Sequence, residues 1–174
     1  MDTKTKVLLV WVAGLLAVGG CCEHDQTLWI NPLNVQAQEI GGTWKVVDGD
    51  KLIADFGADQ AGAEMARDAI KHYRFTSMHR LGPNSEIMYF TCLGWTPMGA
   101  FPGVVALPIQ TENVAAVESP PGAWKVTDGV RSIANFGADK RCAESAAMAI
   151  KLRGFRYQCF VGSAAPPPMM FFRR

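Results

Sequence analysis

The centre of the chain alternates between two faces and then changes its period. Trp44 and Val46 share one face of a predicted strand, and the residues between them point to the other face. Asp48-Gly49 is typical of a tight hairpin turn, and residues 52–56 are predicted to form the returning strand. The pattern therefore predicts an antiparallel strand pair.

A helix is predicted directly after this hairpin. Gly57 interrupts the strand, Asp59 is a favourable N-cap, and the apolar positions then recur every three or four residues. In the first occurrence the apolar stripe consists of Ala63, Ala66, Ile70 and Tyr73. In a second occurrence Asp139 is the cap and the stripe consists of Ala143, Ala146, Ala149 and Ile150. Small side chains on both stripes allow each helix to lie close to a sheet.

The whole pattern occurs twice, at an offset of 80 residues. Without a gap, positions 44–75 match positions 124–155 at 18 of 32 residues. Two short strands are predicted before each copy, and two more strands are predicted after its helix. The sequence therefore predicts an α+β fold of two tandem ββββαββ-like units, each an antiparallel sheet with one helix packed across it.

The predicted organisation follows from this repeat. Residues 1–20 are assigned to a signal peptide and 21–26 to a tether. Residues 27–91 form the first repeat unit, 92–103 a connector rich in Gly and Pro, and 104–174 the second repeat unit.

The N-terminal segment is typical of an exported protein. Lys4 and Lys6 precede an apolar stretch, residues 7–18, that is too short to span a bilayer. The ending Val18-Gly19-Gly20-Cys21 resembles the bacterial lipobox, which implies cleavage before Cys21 and acylation of that cysteine. An ordinary signal peptide cut near Gly20 is the alternative. We expect a lipid anchor in the cell envelope, at the outer membrane or periplasm of a Gram-negative host.

Composition narrows the range of partners. A 49% hydrophobic, 19% charged chain is globular in composition, and 17 basic residues against 16 acidic ones leave it nearly neutral. Neutrality without a long basic run argues against nucleic acid or an anionic membrane surface as the main partner. Membrane contact is therefore expected through the lipid anchor only.

Motifs for catalysis, metals or cofactors are missing from the sequence. It contains no Gly-rich phosphate loop, HExxH, GxSxG or paired CxxC, so we predict no catalytic residues, metal ligands or cofactor. The repeated carboxylates are either acid–base candidates or turn formers and helix caps: Asp48, Asp55, Asp59, Asp128 and Asp139. Turns and caps are favoured, because Asp48 and Asp59 have such positions and Asp55 is replaced by Asn135 in the second copy.

Histidine-based sites receive no support from spacing. His24, His72 and His79 lie on different predicted elements, without the spacing of metal ligands. None of them stands in an evident activating arrangement around the possible nucleophiles, which are Ser77, Ser163 and Cys159.

Four tryptophans are the candidate binding residues. Trp44 and Trp124 repeat on equivalent strands and are either sugar-stacking platforms or core residues beneath the helices. The core position is favoured, because each tryptophan shares a strand face with a valine. Trp29 and Trp95 have no repeat partner and lie next to Asn-Pro and Thr-Pro turns. They are the better candidates for an exposed aromatic surface, although packing of the connector also explains Trp95.

The order of motifs resembles a tandem module of secreted bacterial proteins of unassigned function. The shared features are Trp-Lys-x-Val-Asp-Gly, Phe-Gly, an Ala-rich helix, a Cys before Val-Gly, and a closing Met-x-Tyr-Phe, across nearly all of the mature chain. The resemblance implies no activity. This chain departs from the pattern in its cysteines, because Thr27 and His79 occupy both positions in the first unit and Ala106 stands opposite a retained Cys159 in the second.

The remaining cysteines raise the question of a disulfide. Strand parity and the helix stripe place Cys142 and Cys159 at one helix–sheet interface, and the first unit has Gly62 and His79 there. Export to an oxidising compartment and an even number of cysteines besides Cys21 favour a Cys142–Cys159 bond. Two buried free thiols are the alternative.

Two classes of function remain open at this level. The first is a noncatalytic cell-envelope lipoprotein that acts as a binding or interaction module for a protein, a glycan or an envelope polymer. The second is an enzyme or enzyme inhibitor that uses a cleft between the two units.

Overall fold

The computed structural model describes residues 26–80, 88–91, 100–163 and 168–173, and these form an α+β structure. Every strand pair in those ranges is antiparallel. The predictions for the signal peptide, for Cys21 and for Trp95 fall outside the described residues. The described elements are β1 Gln26–Trp29, β2 Val35–Ile40, β3 Thr43–Asp48, β4 Lys51–Gly57, α1 Gln60–Tyr73, β5 Ser77–Arg80, β6 Met88–Thr91, β7 Val105–Pro108, the 3-10 helix Thr111–Asn113, β8 Ala115–Glu118, β9 Trp124–Thr127, β10 Ser132–Gly137, α2 Lys140–Arg153, β11 Tyr157–Val161 and β12 Met169–Arg173.

The hairpin and helix predicted from the first pattern are confirmed. Strands β3 and β4 meet at Gly49, whose φ of 63° is the left-handed conformation that glycine tolerates. The Asp59 carboxylate accepts from the Gly62 N–H and caps α1, and the alanine stripe of α1 is buried against the sheet β2-β3-β4. Helix α1 ends at Arg74, which adopts a left-handed φ of 53°.

The six strands around α1 form two sheets rather than the single sheet that we predicted. Strand β2 pairs with β3, whereas β1 pairs with β5 in a separate sheet of order β1-β5-β6. The turn at residues 31–34 reverses the chain between β1 and β2, closed by the Asn34 N–H to the Asn31 carbonyl. The Ile30 N–H donates to the Thr76 carbonyl, just before β5, so the end of β1 is also hydrogen-bonded to the β5 segment rather than to β2.

The later part of the chain repeats these pairings. Its sheets have the orders β10-β9-β8 and β12-β11-β7. Helix α2 packs on β8, β9 and β10, with Asp139 as its cap and Gly154 in a left-handed conformation at its end. Trp124 pairs with Gly137 as Trp44 pairs with Gly57.

One hydrophobic core joins the earlier and later parts of the chain. Besides α1 and its two sheets, it contains Cys159, Val161, Met169 and Phe171 from β11 and β12. The Phe171 ring lies 5.2 Å from that of Tyr73 and 5.3 Å from that of Phe75, between ring centroids. Apolar side chains from both parts of the chain are therefore buried in the same core. A second core lies under α2 and includes Val126, Ile150, Met170 and Phe172.

No helix within the described ranges is long and apolar enough to cross a membrane.

Candidate functional site

A buried carboxylate fixes one corner of the fold, at the end of β1. Asp48 is buried at the β3–β4 hairpin, and its Oδ2 accepts from the Asn31 N–H at 2.8 Å. From the same hairpin, the Lys51 Nζ donates to the Trp29 carbonyl at 3.1 Å. These two hydrogen bonds hold the end of β1, the turn at 31–34 and the hairpin together. Asp48 therefore does more than form a turn, because it ties the hairpin to the neighbouring sheet.

The same frame is built a second time around Asp128. The backbone of Gln110 donates to the Asp128 carboxylate, and the Arg131 guanidinium donates to the Pro108 carbonyl. Burial raises the pKa of Asp128, but hydrogen bonds from the backbone of Arg131, Val130 and Gln110, together with the Arg131 charge, outweigh burial and hold the pKa below its ordinary value. The two frames therefore match residue by residue.

The side chains displayed on the two frames differ in polarity. The first frame exposes Trp29, Leu33 and Leu52, with 62%, 85% and 46% of their surfaces in contact with solvent. We call these three residues the apolar corner. By the matching hydrogen bonds and turns, the second frame carries Pro108, Glu112 and Ser132 at the equivalent positions, and all three are exposed. At these three positions the first frame exposes large apolar side chains and the second frame does not, whereas at one hairpin position the contrast is reversed, with exposed Val130 as the counterpart of Asp50.

The sequence prediction found Trp29 but missed Leu33 and Leu52. The offset between equivalent residues is 79 for β1 and the following turn and 80 from β3 onward, so a gapless alignment does not compare Leu33 with Glu112. A one-residue gap before the repeated tryptophan would have shown the contrast.

The other candidate tryptophans lie against the cores. Trp44 is half-buried and packs against the first core, and Trp124 is half-buried against the second. The Lys140 Nζ lies 4.9 Å from the centre of the Trp124 ring, so that ring face is already occupied. Of the predicted tryptophans within the described ranges, Trp29 is the most exposed.

The remaining repeated carboxylates cap helices or brace a strand. Asp59 Oδ1 accepts from the Gly62 N–H at 2.8 Å, and its Oδ2 accepts from the N–H and hydroxyl of Ser163 at 2.9 and 2.8 Å. Asp139 accepts from the Cys142 N–H at 2.9 Å. Asp55 accepts from the Gly57 N–H and lies 3.7 Å from the Lys45 Nζ. These contacts use the carboxylates structurally.

The structure places one histidine beside Ser77, a contact that the sequence analysis did not predict. The Ser77 hydroxyl lies 3.0 Å from His79 Nε2, and His79 Nδ1 lies 3.1 Å from the Thr27 hydroxyl, across the β1–β5 pair. The spacing Ser-x-His on a strand puts both side chains on one face, which is the signal that was missed. Ser77 is only 1% exposed, however, and Thr27 supplies no negative charge to stabilise an imidazolium. Ser77 is therefore too buried in this arrangement to be reached by a substrate.

The predicted Cys142–Cys159 disulfide is wrong. Cys159 is a buried free thiol, whereas Cys142 is disulfide-bonded to a partner outside the described residues. The error comes from strand parity, because β11 is covered on both faces. Gln158 faces the α2 side, where it donates to the Ile133 carbonyl, and Cys159 faces the core that contains α1. Burial raises the pKa of the Cys159 thiol, despite the opposing effect of Arg173.

Neither a metal site in the described residues nor a comparison with known proteins indicates a function. Within the described ranges, no group of three or more His, Cys, Asp or Glu side chains is placed to hold a metal ion. Comparison with known proteins finds no matching family model, no similar curated protein and no similar solved structure. The apolar corner and the use of the polar groups are therefore the features that bear on function.

Proposed function

We propose that this protein is a noncatalytic cell-envelope lipoprotein, built from two tandem ββββαββ units, that acts as a binding module through its apolar corner. The observation that carries the proposal is the contrast between the two frames. The second frame folds with Pro108, Glu112 and Ser132 exposed at these positions. The fold therefore does not require the exposed apolar side chains of Trp29, Leu33 and Leu52 on the first frame. An exposed apolar cluster that the fold does not need is typical of an interaction surface.

The use of the polar groups supports binding over catalysis. The repeated aspartates are engaged in frames, caps and a strand contact, and Ser77 and Cys159 are buried. The resemblance to a lipobox at Cys21 supports envelope anchoring, and the partner would be an envelope protein, glycan or polymer rather than nucleic acid.

An enzyme or inhibitor that uses a cleft between the units is the alternative. The described junction argues against it. A Cβ added at Gly162 would lie 2.7 Å from Pro168 Cδ and 3.1 Å from Phe56 Cε1, and Ser163 is bonded to Asp59 beside it. Phe56 and Asp59 of the earlier part therefore pack closely against Gly162 and Ser163 of the later part.

Two experiments test the proposal. Cys21→Ser should move the protein out of the membrane fraction, and unchanged sedimentation would count against lipidation. A soluble chain that begins at Cys22 should bind isolated cell envelopes, and Leu33→Glu with Leu52→Ser should abolish that binding. Each substitution introduces the residue type that the second frame has at the equivalent position, which is Glu112 for Leu33 and Ser132 for Leu52. Envelope binding that survives both changes would refute the role of the apolar corner.

A further inference from the structure

We propose that the apolar corner seats in the lipid leaflet that carries the Cys21 anchor, so that the protein lies against the membrane in one orientation. This inference rests on the proposed function and names the occupant of the same surface. At this surface the partner is the boundary between headgroups and acyl chains, in place of the envelope protein, glycan or polymer named above, and it adds a second membrane contact to the expected lipid anchor.

The position of the corner in the chain carries the first step. Four residues, 22–25, separate the proposed anchor Cys21 from Gln26, the first residue of β1. The five residue steps from Cys21 to Gln26 span at most about 17 Å when fully extended, so the folded body must lie close to the lipid surface. Trp29 ends the same strand, and Leu33 is in the turn that follows it. Among the described residues, Trp29 and Leu33 of the apolar corner are thus the exposed large apolar side chains nearest to the anchor along the chain.

The side chains of the corner match the chemistry of the interface. Tryptophan prefers the headgroup level of a bilayer, where its ring is partly apolar and its N–H remains hydrated. Leu33 is 85% exposed on a turn held by two hydrogen bonds, from the Asn34 N–H to the Asn31 carbonyl and from the Leu33 N–H to the Asn31 side chain. A leucine fixed at the tip of a short turn can enter the acyl region without exposing a strand edge.

The charges at the corner set the kind of lipid that it should prefer. Lys51 and Asp50 are exposed neighbours on the hairpin and offset each other. Contact is therefore apolar rather than electrostatic, and it should depend little on anionic lipid or on salt. This agrees with the near-neutral balance of the whole chain, which argues only against attraction to an anionic surface.

The test uses the complete lipoprotein reconstituted in phosphatidylcholine vesicles with brominated acyl chains, which quench tryptophan at the depth of the bromine atoms. We expect emission to be quenched relative to unbrominated vesicles. Trp29→Phe should remove the quenched component, and Leu33→Glu with Leu52→Ser should remove most of it. Each leucine should contribute about tenfold to the seated population. Adding phosphatidylglycerol or salt should leave the quenching unchanged.

The matched control is Val130→Asp. Val130 is an exposed apolar residue of the second frame, and its counterpart in the first frame is Asp50, so the substitution introduces the residue type that the first frame already has. It should leave quenching intact. Quenching that persists in Trp29→Phe would overturn the inference, since another tryptophan would then be the immersed one. A Trp29 signal that changes with protein-to-lipid ratio and not with bromine would also overturn it, by indicating contact between two copies. If the wild-type lipoprotein shows no quenching while the soluble chain still binds envelopes, the lipid partner is rejected and the proposed function is not.

Discussion

The carboxylate of Asp59 offers the sharpest test of how the two parts of the chain are joined. Its counterpart Asp139 caps α2 through one hydrogen bond, whereas Asp59 caps α1 and also accepts two hydrogen bonds from Ser163. Replacing either residue by alanine removes a helix cap, which costs about 1 kcal/mol of the free energy of unfolding. Only Asp59→Ala also breaks the contact with Ser163.

The size of the difference follows from those two bonds. Hydrogen bonds to a charged acceptor contribute more than neutral ones, but Ser163 is exposed, and solvent reduces the gain to about 1 kcal/mol for the pair. We therefore expect Asp59→Ala to cost about 2 kcal/mol and Asp139→Ala about 1 kcal/mol. Urea denaturation of the oxidised protein, followed by far-ultraviolet circular dichroism, measures both.

A double-mutant cycle with Ser163→Ala isolates the hydroxyl contribution, and we expect a coupling energy of about 0.5 kcal/mol. The pH dependence provides an independent check. Hydrogen bonds from the Ser163 backbone, the Gly62 backbone and the Ser163 hydroxyl lower the pKa of Asp59 below 3.8 in the folded protein. The contribution of Asp59 is therefore present above pH 3.8 and is lost as the pH falls through the lower folded pKa.

Two results would refute this reasoning. Equal losses for Asp59→Ala and Asp139→Ala would mean that the Ser163 contact contributes nothing to stability. A difference between wild type and Asp59→Ala that stays constant from neutral pH to well below 3.8 would mean that the carboxylate charge is not what Ser163 recognises.

Further expectations concern the helix ends and the cysteines. Arg74 and Gly154 end α1 and α2 with φ of 53° and 62°, so Arg74→Gly should stabilise and Gly154→Arg should destabilise the protein, each by about 1 kcal/mol. Thermal or urea unfolding measures both, and effects of the same sign would contradict the argument. Cys159 should resist alkylation until the protein unfolds, because its thiol is buried and its pKa is raised. Cys142 should stay protected in denaturant until reductant is added, and alkylation of Cys142 without reductant would exclude its disulfide.

The sequence by itself determined the local structure. The β3–β4 turn, both N-caps and the apolar stripe of α1 were predicted at the correct residues, because each depends on neighbours within a few positions along the chain. The stripe of α2 was predicted in part, since Ala147 is buried there and Ala149 is only half-buried. The strand registers place Thr27 opposite His79 and Ala106 opposite Cys159, and these pairings join strands that are about 50 residues apart in the chain.

Only the tertiary structure decided which faces of those elements are covered, and by what. Parity along β11 shows that Cys159 and Gln158 point in opposite directions, but not that a core lies on each side. In the same way, the sequence shows an apolar Leu33 in a turn without showing that its counterpart on a matching frame is Glu112. Local patterns determine hydrogen bonds between near neighbours, whereas burial depends on segments brought together from more than 70 residues apart, such as Tyr73 and Phe171. The candidate site is a property of that assembly, because a leucine becomes an exposed surface only when the fold leaves it uncovered.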